Sequence, residues 1–192
     1  MFIYITDKDY DPTFEKTKAL ITLPTIFCKY DDAYELLTKI KECKGAYDEV
    51  IQNHLENELT EESRMEILKP LHVNDFSTKS LQTIVLLDDC LRIFQKKNNK
   101  IVPLLYENRQ PKNIYFLTLH DIFALPPSLK TNIHTIWIFG RYNEQKIKSA
   151  YHQLNLPISR DEFWEAYKSL GNQQAIIIYY DNDKTQLEYL LM

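Results

Sequence analysis

The sequence predicts an α/β fold: a mainly parallel sheet flanked by helices. Three observations carry this. Short apolar runs rich in β-branched residues recur along the chain, amphipathic helical patterns separate them, and one run, Thr83-Ile84-Val85-Leu86-Leu87, stops abruptly at Asp88-Asp89. Uninterrupted apolar runs of this length suit strands buried on both faces of a parallel sheet. Strands alternating with helices are the pattern of that architecture.

Taken in order, Phe2 to Thr6 reads as a first buried strand and Asp7 to Pro12 as a polar turn. Asp31-Asp32 opens a helix whose stripe is Ala33, Leu36, Leu37 and Ile40, and Gly45 is expected to end it. A second helical pattern covers 46–69, broken near Thr60, with Pro70 closing it. Residues 71–80 are an irregular polar approach to the acidic strand. After Asp89, residues 90–97 and 101–108 read as helices, with Lys96, Lys97 and Lys100 in the loop between them and Pro103 in the first turn of the second. Asn113 to Thr118 and Ile133 to Phe139 are further strands, separated by Pro126-Pro127 and a short turn that Ser128 can cap. Residues 143–153 and 159–170 are amphipathic helices, the second opened by the capping box Ser159-x-x-Glu162. Ala175 to Tyr180 is a last strand, followed by a polar turn and a short tail.

Composition narrows the function classes. The chain has 192 residues, 44% of them hydrophobic and 26% charged, as expected of one globular domain spanning 1–192. No apolar run approaches the ~18–20 residues that span a bilayer, and the N-terminus has no signal-peptide pattern. Cys28, Cys43 and Cys90 are odd in number and widely spaced, which suits reduced thiols. The net charge of −4 leaves no overall nucleic-acid footprint, although a few basic side chains can gather locally. The five histidines and three cysteines show no zinc-site spacing, and no G-x-S-x-G elbow occurs.

The acidic pair is the strongest chemical signal. Open α/β sheets bind ligands at the carboxyl ends of their strands. In P-loop nucleotide hydrolases, an apolar strand ending in two acids is the Walker B element: one acid holds Mg²⁺, usually through water, and the next polarises the attacking water. Adjacent aspartates after a strand also serve as helix caps, and both readings stand at this point. His120 follows the 113–118 strand on the same sheet edge and suits a γ-phosphate sensor or a plain loop histidine. Arg109 and Arg141 flank strands where an arginine finger would sit or where a solvated arginine commonly does. The phosphate-cradling G-x-x-x-x-G-K-[ST] occurs nowhere in the 192 residues. Only three glycines are present, Gly45, Gly140 and Gly171, where average usage gives about 13, so an unconventional phosphate loop is not expected either.

The order of these parts resembles the genome-packaging ATPases of large double-stranded DNA viruses and their relatives, within the FtsK–HerA group of P-loop NTPases. Phe2 to Thr6 is similar to that family's second strand and Ile84 to Asp89 to its Walker B strand. Asn108-Arg109-Gln110 with Asn113 to His120 is similar to its Arg-containing loop and sensor strand, and Leu125 to Asn132 to the segment that follows. Ile136 to Phe139 resembles the last core strand, and Asp161-Glu162-Phe163 with Ala175 to Asp181 the C-terminal helix and strand. His120 stands where Gln is usual, and Gln110 where a His commonly follows the Arg.

The resemblance implies a P-loop NTPase-like fold of the RecA/ASCE type, N-terminally incomplete, without the first strand and the P-loop helix. In the family that strand lies between the strands corresponding to 114–118 and 135–139. It further implies ATP and Mg²⁺ as cofactors, with Asp88 on Mg²⁺ through water, Asp89 activating water, His120 sensing the γ-phosphate and Arg109 as a finger acting on a neighbouring subunit. The implied partners are double-stranded DNA, further copies in a homo-oligomeric ring, and capsid or portal proteins. The implied setting is the host cytoplasm or the virion, as a soluble, unsecreted protein without a membrane segment. A chain without the phosphate loop is expected to be inactive alone. The alternative is a non-catalytic relative acting as an assembly or DNA-contacting subunit.

Overall fold

The computed structural model describes residues 1–8, 12–57, 60, 62, 83–89, 94, 99–107, 113–121, 125–140, 142–181 and 184–190. The chain divides into two compact units, Met1–Ala124 and Leu125–Met192.

The first unit is built on a parallel sheet. Its elements are β1 (Phe2–Thr6), α1 (Pro12–Leu20), β2 (Thr25–Lys29), α2 (Tyr30–Asn57), β3 (Thr83–Leu87), α3 (Ile101–Tyr106) and β4 (Asn113–Leu117). The strand order is β2-β1-β3-β4, with every pair parallel. β1 is an inner strand and all five of its residues are buried, as its apolar run requires. One face carries Ile3, Ile5, Val85 and Leu87, all fully buried, and α2 packs against β1 and β2. On the other face the register aligns Phe27, Tyr4, Leu86 and Phe116 in one row and Phe2, Ile84 and Ile114 in another. Phe14 of α1 covers the β2–β1 end of these rows, packing with Phe2, Tyr4 and Phe27. Cover fades towards β4, where Ile114 is 46% and Phe116 52% exposed. Among the described residues β4 has a ladder partner on one side only.

Several sequence expectations change here. α2 runs through Gly45 to Asn57 instead of ending at the glycine. Gly45 is exposed, its φ is not positive, and a Cβ added there meets nothing within 4 Å, so the helix tolerates it at a propensity cost only. Gly45→Ala is therefore expected to raise stability by roughly 0.5–1 kcal/mol, read as a higher urea midpoint at unchanged slope. α1 and β2 were not expected from the sequence. Among its described side chains α1 places Phe14 alone in the core and leaves Leu20 84% exposed, and its sequence carries no apolar stripe. The helical pattern expected beyond Asn57, and the one over 90–97, lie largely outside the described residues.

The second unit contains α4 (Pro127–Lys130), β5 (Thr135–Phe139), α5 (Glu144–Leu154), α6 (Arg160–Lys168), β6 (Ala175–Asp181) and β7 (Lys184–Leu190). Its three strands form a separate antiparallel sheet in the order β5-β6-β7. The expected short tail is thus β7, whose Lys184 pairs with Asp181 at the turn. Ser128 lies inside α4 rather than at its cap, which is Pro126. Among the described residues β5 has a ladder partner on one side only.

The α5 stripe is Ile147, Ala150 and Leu154, capped by the Asn143 side chain, which accepts from the Lys146 N–H. Asn155, at φ 45°, stops it in the left-handed conformation. The capping box of α6 is formed as expected: the Glu162 N–H donates to Ser159 Oγ at 3.2 Å and the Ser159 N–H to Glu162 Oε2 at 2.8 Å. Ser159→Ala is expected to cost about 1 kcal/mol, measured by urea denaturation.

The buried Cys28 and the half-buried Tyr180 set an alkaline limit. Burial pushes the Cys28 thiol up from 9.0 to about 11, with the Asp32 charge adding to it. Burial likewise pushes the Tyr180 phenol from 10.0 to about 12, while its hydroxyl donates to the Leu154 carbonyl. Both folded values are raised, so the neutral forms favour the fold. That contribution is full below about pH 9 and is lost as pH rises through 11 for Cys28 and 12 for Tyr180. The unfolding midpoint is expected to fall across this window, with tyrosinate absorbance rising late.

Candidate functional site

The parallel sheet of the first unit places the acidic pair at its carboxyl edge. The Asp88 N–H continues the ladder by donating to the Ile5 carbonyl at 2.8 Å, and the Thr118 N–H donates to Leu87 at 3.0 Å. These bonds carry the strand geometry one residue past β3 and β4 before the chain turns.

The Asp88 carboxylate is held at both oxygens. The Tyr4 hydroxyl donates to Oδ2 at 2.7 Å and the Thr118 hydroxyl to Oδ1 at 2.5 Å. Lys8 Nζ lies 3.8 Å from Oδ2. Asp89 turns the chain at φ 50°, a left-handed conformation that Asp adopts more readily than most residues. Its N–H donates to Thr118 Oγ1 at 2.9 Å. His120 Nε2 sits 3.4 Å from Asp89 Oδ1 on a largely solvent-facing ring.

Asp88, Asp89 and His120, expected on one sheet edge, are therefore together in space. Arg109 lies outside the described residues, as do Arg141, Lys96, Lys97 and Cys90. Lys100 is described, and its ammonium lies over the Tyr34 ring. Sequence reasoning did not single out Tyr4 or Thr118 as site residues. Their hydroxyls could have been found only by knowing that β1 and β4 flank β3.

The donor set suits a particular kind of cation contact. Among the described residues no group of three or more His, Cys, Asp or Glu gathers as a metal cage. A single carboxylate at a sheet edge fits Mg²⁺ held through its own water and through substrate phosphates, the usual arrangement for that ion. Among the described residues no helix is long and apolar enough to cross a membrane.

No family model matches the chain. An uncharacterised protein, 075L, of Invertebrate iridescent virus 6 is 27% identical over 117 residues, which is 60% of this chain and 45% of that protein. The chain thus matches less than half the length of this viral relative. Among solved structures it is similar to B204, the DNA-packaging ATPase from Sulfolobus Turreted Icosahedral Virus, at a TM-score of 0.53 and 13% identity over 99% of this chain and 83% of that one. The genome packaging NTPase B204 of Sulfolobus turreted icosahedral virus 2, solved with ATP-gammaS, matches at 0.53 and 15% identity over 97% and 80%. The cytoplasmic domain of the Type VII secretion ATPase EccC of Thermomonospora curvata matches at 0.55 and 13% identity over 98% and 21%. The likeness to these ATPases is one of fold, a mainly parallel sheet flanked by helices.

Proposed function

We propose that the chain is the C-terminal portion of a viral DNA-packaging ATPase, which couples ATP hydrolysis to translocation of double-stranded DNA into a capsid. The observation that supports this most is the Asp88-Asp89 pair at the carboxyl edge of a parallel sheet, with His120 at 3.4 Å from Asp89. When bound, Mg²⁺ would supply charge neutralisation on the phosphates. Asp88 would hold its water shell, Asp89 would accept a proton from the attacking water, and His120 would hydrogen-bond the γ-phosphate. Arg109 would act on the nucleotide of a neighbouring subunit in a homo-oligomeric ring, and capsid or portal proteins would anchor that ring. The host cytoplasm or the virion is the corresponding setting.

The phosphate loop has to come from outside these 192 residues. Among the described residues β4 lacks a neighbour on one side and leaves Ile114 and Phe116 about half exposed, which supports a further strand and helix packing there. A parallel strand added at that edge would deliver its carboxyl-end loop beside Thr118 and Asp88. The absence of G-x-x-x-x-G-K-[ST] favours a second reading, a non-catalytic subunit that assembles or contacts DNA.

Two observations separate the readings. The coding DNA upstream of Met1, read in all frames, should encode a strand followed by G-x-x-x-x-G-K-[ST]. The chain joined to or mixed with that segment should hydrolyse ATP, where the chain alone does not. An unrelated neighbouring gene, and no hydrolysis with the phosphate-loop segment supplied, would leave the non-catalytic reading.

A further inference from the structure

The two acids have a common fixture. Thr118 is the first residue past β4, and its single hydroxyl donates to Asp88 Oδ1 while accepting the Asp89 N–H. It is therefore bonded to the side chain of one acid and the backbone of the other. Tyr4 reaches the second Asp88 oxygen from β1. Its residue is 1% exposed, and its ring is locked among Phe14 and Phe27 at centroid distances of 5.0 and 6.0 Å. The ring is a firm mount for a hydroxyl that an aromatic core does not itself need. Meanwhile the Asp88 side chain stays 22% exposed and the Asp89 side chain 37% exposed, so both are fixed yet reachable from solvent.

We propose that Thr118 and Tyr4 are positioning residues: Thr118 sets the Asp88 rotamer and the left-handed Asp89 backbone together, and Tyr4 sets Asp88 alone. A carboxylate oriented through both oxygens loses most of its rotational freedom before any ligand arrives, which is preorganisation. The use of that orientation for water and Mg²⁺ rests on the ATPase reading above; the orientation itself is a property of this chain.

The test separates the two. On the purified chain, NMR would follow Asp88 side-chain couplings and Asp89 amide hydrogen exchange. Thr118→Val removes the hydroxyl at nearly constant volume at an exposed position. It should speed Asp89 exchange about tenfold and average the Asp88 couplings, while Thr118→Ser restores both. Tyr4→Phe keeps the ring in its cluster and should average the Asp88 couplings while leaving Asp89 exchange unchanged. An Asp88 that stays in one rotamer in both hydroxyl-free variants, with Asp89 exchange unaltered, would overturn the proposal. In the phosphate-loop-supplied ATPase, Thr118→Val should lower kcat by roughly 10²-fold with little change in nucleotide KM. An equal fall in kcat for Thr118→Ser would count against the hydroxyl. Changed NMR behaviour without ATPase under any condition would keep the fixture and discard the ATPase reading.

Discussion

On the proposed ATPase reading, Asp89→Asn is expected to lower kcat of the phosphate-loop-supplied protein by roughly 10²- to 10⁴-fold. The amide is nearly the same shape and keeps the Asp89 backbone N–H that donates to Thr118, so the turn at φ 50° should survive. Asn also adopts the left-handed region readily. What disappears is a basic oxygen able to take a proton from water. Steady-state ATPase rates beside nucleotide-binding affinity decide the outcome: the rate should fall while affinity holds. A variant as active as the parent would show that Asp89 merely turns the chain. Asp88→Asn should differ, weakening the Mg²⁺ dependence of the rate, and its one carbonyl oxygen can accept from Thr118 or from Tyr4 but not take both places that the two carboxylate oxygens hold.

Ile5→Ala should be the most destabilising single truncation in the first unit, at about 2–5 kcal/mol. Ile5 is fully buried on the inner strand, in register with Cys28 on one side and Leu87 on the other. Neighbours on both sides leave little room for collapse into the cavity. Against a typical total of about 5–15 kcal/mol, this removes a large share of the stability. The effect should reach the site, because the Ile5 carbonyl accepts the Asp88 N–H. Urea denaturation gives the stability change, and faster Asp88 amide exchange reports the loosened ladder. A cost below about 1 kcal/mol would mean that the sheet repacks freely around β1.

Much of the fold was legible because its signals are local. The apolar runs at β1 and β3 mark inner strands, β1 buried on both faces and β3 buried on one and half-buried on the other, and Ser159 with Glu162 forms a capping box within four residues. The α5 and α6 stripes repeat at helical spacing. The elements that were missed lack such signals. β2 is five residues without strict alternation, and β7 reads as a polar tail until β6 pairs with it. Gly45 looked like a stop because a glycine's local preference is to end a helix, but α2 continues through it.

The sequence by itself determined the strand that ends in Asp88-Asp89, the adjoining sensor-like strand with His120, and the α/β class, since each depends on residues close together in the chain. The tertiary structure alone decided that the parallel order β2-β1-β3-β4 sets Tyr4 and Thr118, 84 and 30 residues away, on the two oxygens of one carboxylate. It alone left β4, among the described residues, with a partner on one side only and divided the strands into a parallel and an antiparallel sheet. Strand neighbours are chosen by burial and hydrogen bonding across the sheet, and that choice carries no mark in the spacing of residues along the chain.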